Sequence, residues 1–86
     1  MSKILGLDYG EKRCGISITD DLRLIASPLD TINTNEIINY LVEIIARENI
    51  SILVIGEPKN NKNNFFEIEE SIKKLIKKIK YTRFDN

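Results

Sequence analysis

The sequence has no histidine, one cysteine and two prolines, and no apolar run long enough to span a membrane. The missing histidine removes imidazole acid–base catalysis and the usual zinc sites. Cys14 alone cannot form an internal disulfide; it suits a reducing compartment and reads as a small strand residue. No N-terminal apolar region resembles a signal peptide. Charge of either sign is also not in excess: 13 basic residues balance 13 acidic ones. Nothing in that balance demands nucleic acid, although local patches can still bind it. These absences together lead us to expect a soluble, cytoplasmic chain. Its 86 residues suffice for one domain, which buries only somewhat over ~60% of its unfolded surface.

What is present is concentrated in one stretch, Ile4-Leu5-Gly6-Leu7-Asp8-Tyr9-Gly10-Glu11-Lys12-Arg13-Cys14-Gly15-Ile16. An apolar run ends in a carboxylate, turns through glycine and charge, and gives way to a second apolar run. The pattern predicts a strand, a tight turn and an antiparallel strand. Asp8 stands where the first strand runs out, free to face solvent and hold a metal ion. Gly10 offers a turn with positive φ or close approach of a phosphate. A plain hairpin, with Asp and Gly making only the turn, explains the same residues.

Along the chain, strands are expected at 3–8 and 13–19, a turn at Asp20-Asp21, and a third strand at 24–32 broken near Pro28, as an edge strand or bulge would be. A helix opens at 33–36, with Asn33 as cap and Glu36 at the capping-box position. Ile37, Ile38, Leu41, Ile44 and Ile45 form its apolar face. Residues 50–56 are β-branched and short enough for a strand. A polar loop covers 59–64, and Asn64 with Glu67 repeats the capping pattern. Phe65, Ile68, Ile72, Leu75, Ile76 and Ile79 stripe a second helix, and 81–85 reads as a last strand.

The order β-β-β-α-β-α-β, with right-handed crossovers, predicts an α/β fold with a mixed five-stranded sheet, order 3-2-1-4-5, strand 2 antiparallel to the rest. Asp8 and Glu57 then lie at carboxyl ends of neighbouring parallel strands, and Asp85 at the end of the next one, where open α/β sheets bind ligands. Carboxylates converging without His or Cys suit Mg²⁺ or Mn²⁺, and two such ions serve phosphodiester hydrolysis. Equally, Glu57 flanks a strand and Asp85 suits a turn. Lys12 and Arg13 stand near Asp8 and can hold phosphate, Arg13 bidentately; Lys12 also reads as a solvated turn residue. Lys73, Lys74, Lys77, Lys78 and Lys80 decorate the second helix and its exit as a solvated face or a phosphate-contacting one. Phe66 is the aromatic left over from the core stripe to stack on a base.

Taken together, Asp8-x-Gly10-x-x-Arg13-x-Gly15, Thr19-Asp20, Ala26-Ser27-Pro28-Leu29 and Ile55-Gly56-Glu57-Pro58-Lys59 resemble the YqgF family. Its members are described as Holliday-junction resolvases and as nucleases for 5′-end maturation of pre-16S rRNA. The resemblance runs in register over the whole chain. It implies an RNase H-like fold, metal-dependent phosphodiester hydrolysis with Mg²⁺ or Mn²⁺, a nucleic-acid partner (precursor rRNA or branched DNA) and a role in ribosome assembly in the cytoplasm. It further implies that Asp8 is the first metal-binding aspartate, that Gly10, Arg13 and Gly15 are signature residues, and that Asp85 matches a later aspartate. Many relatives carry an apolar residue where Glu57 stands, and Asn86 occupies the place of an expected glutamate. The family's remaining strand residues and final helices do not follow. The expectation is therefore residues 1–86 as a single RNase H-like domain lacking the family's C-terminal elements, through truncation or gene decay, cleaving nucleic acid more slowly than a full-length relative.

Two other readings compete. An actin-like ATPase fragment shares the Asp-x-Gly turn and core, but such proteins need two of these domains. A non-catalytic nucleic-acid or protein-binding remnant would keep the fold and lose the site. The crossovers carry a further consequence: both helices fall on one face of the sheet. Leu5 and Leu7 oppose Ile4, and Leu53 and Ile55 oppose Ile52 and Val54, so one of the two apolar sets lacks a helix to cover it. The bare face is expected to be a contiguous apolar patch prone to self-association.

Overall fold

The computed structural model describes residues 2–58, 62–77 and 79–85, and at 57, 62–64 and 83–85 the backbone only. Three strands open the chain, β1 (Lys3–Asp8), β2 (Arg13–Thr19) and β3 (Ala26–Asn33). A 3₁₀ turn (Thr34–Glu36) leads into α1 (Ile37–Arg47), followed by β4 (Ile50–Glu57), α2 (Lys62–Leu75) and β5 (Lys80–Asp85). The sheet order is β3-β2-β1-β4-β5. β2 runs antiparallel to β1 and β3, while β1, β4 and β5 are mutually parallel. This is the α/β arrangement that the sequence pattern predicts, and it is consistent with the RNase H-like fold that the resemblance implies.

Both helices pack on one face. Leu5, Leu7, Cys14, Ile16, Leu53 and Ile55 bury there against Ile37, Leu41 and Ile44 of α1 and Phe65 and Ile72 of α2. Each is 2% exposed or less, so each contributes about 1.5–3 kcal/mol of transfer free energy if it is a large aliphatic. Among the described residues no helix covers the other face, and no helix is long and apolar enough to cross a membrane. Among the described residues, that open face is only partly apolar across β1, β2 and β4. Its aliphatic part is Ile4, Ile52 and Val54, all half-buried. The rest of it across β1, β2 and β4 is Gly6, Asp8, Gly15, Ser17 and Gly56, in register with one another, with Arg13 and Thr19 at the two ends of β2. Small and hydroxylated residues replace aliphatics where β1 meets β2, so little apolar area is presented there.

Several local boundaries differ from the sequence reading, each for a visible reason. β3 begins at Ala26 because Leu24 and Ile25 belong to the turn, where their N–H groups donate to Asp20 Oδ1 at 2.9 and 3.4 Å. Pro28 does lie on an edge strand, beside a register shift opposite Ile16 and Ser17. Asn33 does not cap α1: it ends β3, and neither it nor Glu36 makes a side-chain cap bond. Asn64 lies inside α2 rather than at its cap, since the helix starts at Lys62. Lys59 and the two asparagines after it fall outside the described residues. Leu75, assigned to the apolar stripe, is 53% exposed, whereas Ile76 is buried. The inward side runs through Phe65, Ile72 and Ile76, and Leu75 falls on the flank of that line.

Candidate functional site

Asp8 is the last residue of β1 and is exposed, between two buried neighbours. Leu7 sits in the core, and Tyr9 packs its ring edge-on against Phe65 with centroids 5.5 Å apart. Burial pushes the Tyr9 phenol above its ordinary pKa. Pinning both neighbours on the helix side leaves the intervening carboxylate on the open face, because successive side chains alternate across a strand. Tyr9 is a functional support the sequence reading passed over; its place in the i, i+2 series Leu5, Leu7, Tyr9 is the signal that was there.

In the sheet Asp8 pairs with Gly15 of β2 and with Gly56 of β4. Around it the open face forms a shallow groove of about 300 Å³, lined by Gly6, Asp8, Gly15, Ser17, Val54 and Gly56. Arg13 begins β2 two residues before Gly15, hence on the same face as Asp8, and is exposed. Lys12, at the tip of the β1–β2 loop, is exposed too. One cation on Asp8's face and one at the loop tip can thus approach an anion held near the carboxylate.

That loop is fixed by a residue the sequence reading did not single out. The Thr34 hydroxyl donates to the Gly10 carbonyl at 2.7 Å, and the Thr34 N–H donates to the Lys12 carbonyl at 2.9 Å. Cys14 Sγ lies 3.4 Å from the same hydroxyl. Gly10 itself does not adopt positive φ; none of the described glycines does. What it supplies is room, because a Cβ at that position would stand 2.2 Å from the Arg13 carbonyl oxygen. Close backbone approach across the turn is what requires glycine here.

Glu57 and Asp85 end β4 and β5 and pair with each other in register. All three acids therefore terminate adjacent parallel strands. Phase divides them: Asp8 is level with Gly56, so Glu57 and Asp85 form a pair one residue out of step with it. The side chains of those two residues lie outside the described set, as does Asn86. Among the described residues no three acidic, histidine or cysteine side chains gather into a metal-binding group. The donor type nevertheless fits a hard cation, since every candidate ligand is a carboxylate.

Residues 2–84 match the RuvX family, described as Holliday junction resolvase. A protein of Karelsulcia muelleri (strain GWSS), named "Putative pre-16S rRNA nuclease", is 52% identical over 79 residues, covering 92% of this chain and 57% of that one. A protein of the same name from Christiangramia forsetii is 39% identical, covering 92% of this chain and 62% of the relative. The chain thus spans about three-fifths of the length of these curated relatives. Among solved structures, a Bacteroides thetaiotaomicron protein with an actin-like ATPase fold and unknown function superposes with a TM-score of 0.62 at 16% identity, over 96% of this chain and 32% of that one. YeaZ from Pseudomonas aeruginosa superposes with a TM-score of 0.56 at 10% identity, over 100% of this chain and 44% of its own. At those identities the two structures speak for the fold alone.

Proposed function

This chain belongs to the RuvX family of Holliday junction resolvases, and from that premise we propose that the carboxylate end of its sheet serves metal-dependent hydrolysis of phosphodiesters, in 5′-end processing of pre-16S rRNA during cytoplasmic ribosome assembly. The observation that carries the reading is the register: Asp8, Glu57 and Asp85 are the last residues of three adjacent parallel strands. Asp8 is the primary ligand for Mg²⁺ or Mn²⁺; Glu57 and Asp85, paired with each other one residue out of step with it, are the further carboxylates that would have to reach the ion from beyond the strand ends. The bound cation would supply an activated water and offset charge on the leaving oxygen. Arg13, on the face of Asp8, holds a phosphate bidentately, and Lys12 at the loop tip holds another as a point charge. Gly10, held by Thr34, lets the loop backbone close against Arg13 beside Asp8.

The test is cleavage of a precursor 16S rRNA 5′ leader and of a four-way DNA junction, with Mg²⁺, Mn²⁺ or EDTA. We expect cleavage of the RNA that requires the metal and is lost in Asp8→Asn. The phase offset between Asp8 and the Glu57–Asp85 pair favours a second reading, a nucleic-acid-binding module without chemistry. Arg13-dependent binding of the same RNA with no cleavage by wild type would establish that reading instead.

A further inference from the structure

The lysines of α2 and its exit do not form one uniform face. Lys73 places Nζ 5.2 Å from the centroid of the Tyr81 ring on β5, a cation–π contact against the edge strand. Lys74 and Lys77 instead border a cleft of about 540 Å³ between the C-terminal halves of α1 and α2. Ile45 and Ile76 line its interior. Val42 and Leu75 also line it and are 47% and 53% exposed. Here the cations flank an open aliphatic slot whose filling would remove apolar area from water.

The cleft is at the opposite end of the sheet from Asp8. Ile50, the first residue of β4, lines it, and Asp8 pairs near the end of that strand. Six residues separate the two positions, about 20 Å at ~3.3 Å per residue. A ligand seated there leaves the carboxylate end untouched.

The chemistry of the cleft selects its occupant. Aliphatic walls receive apolar side chains recurring at helical spacing, and flanking lysines favour acidic residues beside those anchors. Nucleic acid could use the lysines, but its phosphates have no use for Val42, Ile45, Leu75 and Ile76. We propose that this cleft docks an acidic amphipathic helix of a partner protein.

The test uses the whole chain and a fluorescein-labelled peptide of about 14 residues, with leucines at helical i, i+3, i+4, i+7 spacing and glutamates elsewhere. A second peptide replaces each glutamate by lysine, and a third probe is a labelled single-stranded RNA. By fluorescence anisotropy the glutamate peptide should bind at least about tenfold more tightly than the lysine peptide. Val42→Asp and the double variant Lys74→Glu/Lys77→Glu should each weaken it by at least about tenfold, and the double variant should now prefer the lysine peptide. Asp8→Asn should bind as wild type does. Circular dichroism melts check that the variants fold, and Leu75→Gln stands in for Val42→Asp if the latter does not. Equal binding of both peptides, indifference to the wall substitution, or tighter lysine-dependent binding of the RNA would each overturn the proposal.

Discussion

The two faces of this sheet are made from the same strands, yet they follow different rules. On the covered face, Leu5, Leu7, Ile16, Leu53 and Ile55 are sealed beneath two helices. On the open face, residues of the same strands are glycine, serine, threonine, aspartate and one arginine, with three aliphatics among them. The covered face supplies stability, because large apolar side chains leave water there. The open face supplies access, because small residues let a ligand approach the backbone beside Asp8. Alternation along β1 ties the two together: the burial of Leu7 and Tyr9 is what presents Asp8.

The sharpest way to break this comparison is to remove equivalent volume from each face. Leu53→Ala, at 0% exposure, should cost about 2–5 kcal/mol in urea unfolding. Ile52→Ala, its half-buried neighbour on the open face, should cost about 1 kcal/mol, because the site was never fully dehydrated. Equal losses would mean that the open face is covered in solution. The rim between the faces comes next. Gly10→Ala forces a Cβ against the Arg13 carbonyl, and overpacking of that kind costs about 1–3 kcal/mol. Gly6→Ala should be milder, since the added Cβ meets only the Ser17 hydroxyl, which can rotate away. Ser17→Ala in the same chain should recover that smaller loss.

Thr34→Val probes how the loop beside Asp8 is held. It keeps the shape and removes the hydroxyl that donates to Gly10, for an expected loss of about 0.5–1.5 kcal/mol. Amide exchange should quicken at 10–12 and stay unchanged in β4 if the bond acts on the loop alone. The smallest effect belongs to the surface pair of Lys3 and Glu48, 2.9 Å apart. The Lys3 hydrogen bond and charge hold the Glu48 carboxyl below its ordinary value, and the same contact raises Lys3. A depressed carboxyl contributes above its unfolded value, and the contribution is lost as pH falls through the folded one. The raised lysine contributes below its unfolded value and loses this as pH rises through the folded one. Glu48→Gln should therefore flatten the stability profile at its acid and alkaline edges and not near neutrality, and salt should mask the difference.

Much of the fold was legible because it rests on period and punctuation. The apolar run that ends in a carboxylate at 3–8, β-branched density in 50–56 and the 3.6-residue stripes of both helices act locally, and the crossover rule then orders the strands. What escaped was tertiary. Thr34 looks like an ordinary helix-entry residue; only the fold brings it to Gly10, 24 positions earlier. The supposed cap Asn33 was claimed by β2, which pairs it with Arg13 and extends β3 through it. Gly10 suggested positive φ by its type, whereas the need for glycine came from a carbonyl across the turn. At the candidate site, the convergence of Asp8, Glu57 and Asp85 on one end of the sheet followed from strand order. Their division into two phases did not, because a one-residue register offset is invisible until the strands are paired.

The central claim is that the carboxylate end of the open face holds a divalent cation through Asp8. Titrating Mn²⁺ into ¹⁵N-labelled protein while following paramagnetic broadening of amide signals tests it directly. The account predicts broadening centred on Asp8, Gly10 and Gly56 that Asp8→Asn removes. The same broadening in wild type and Asp8→Asn, or broadening centred elsewhere on the sheet, would contradict it.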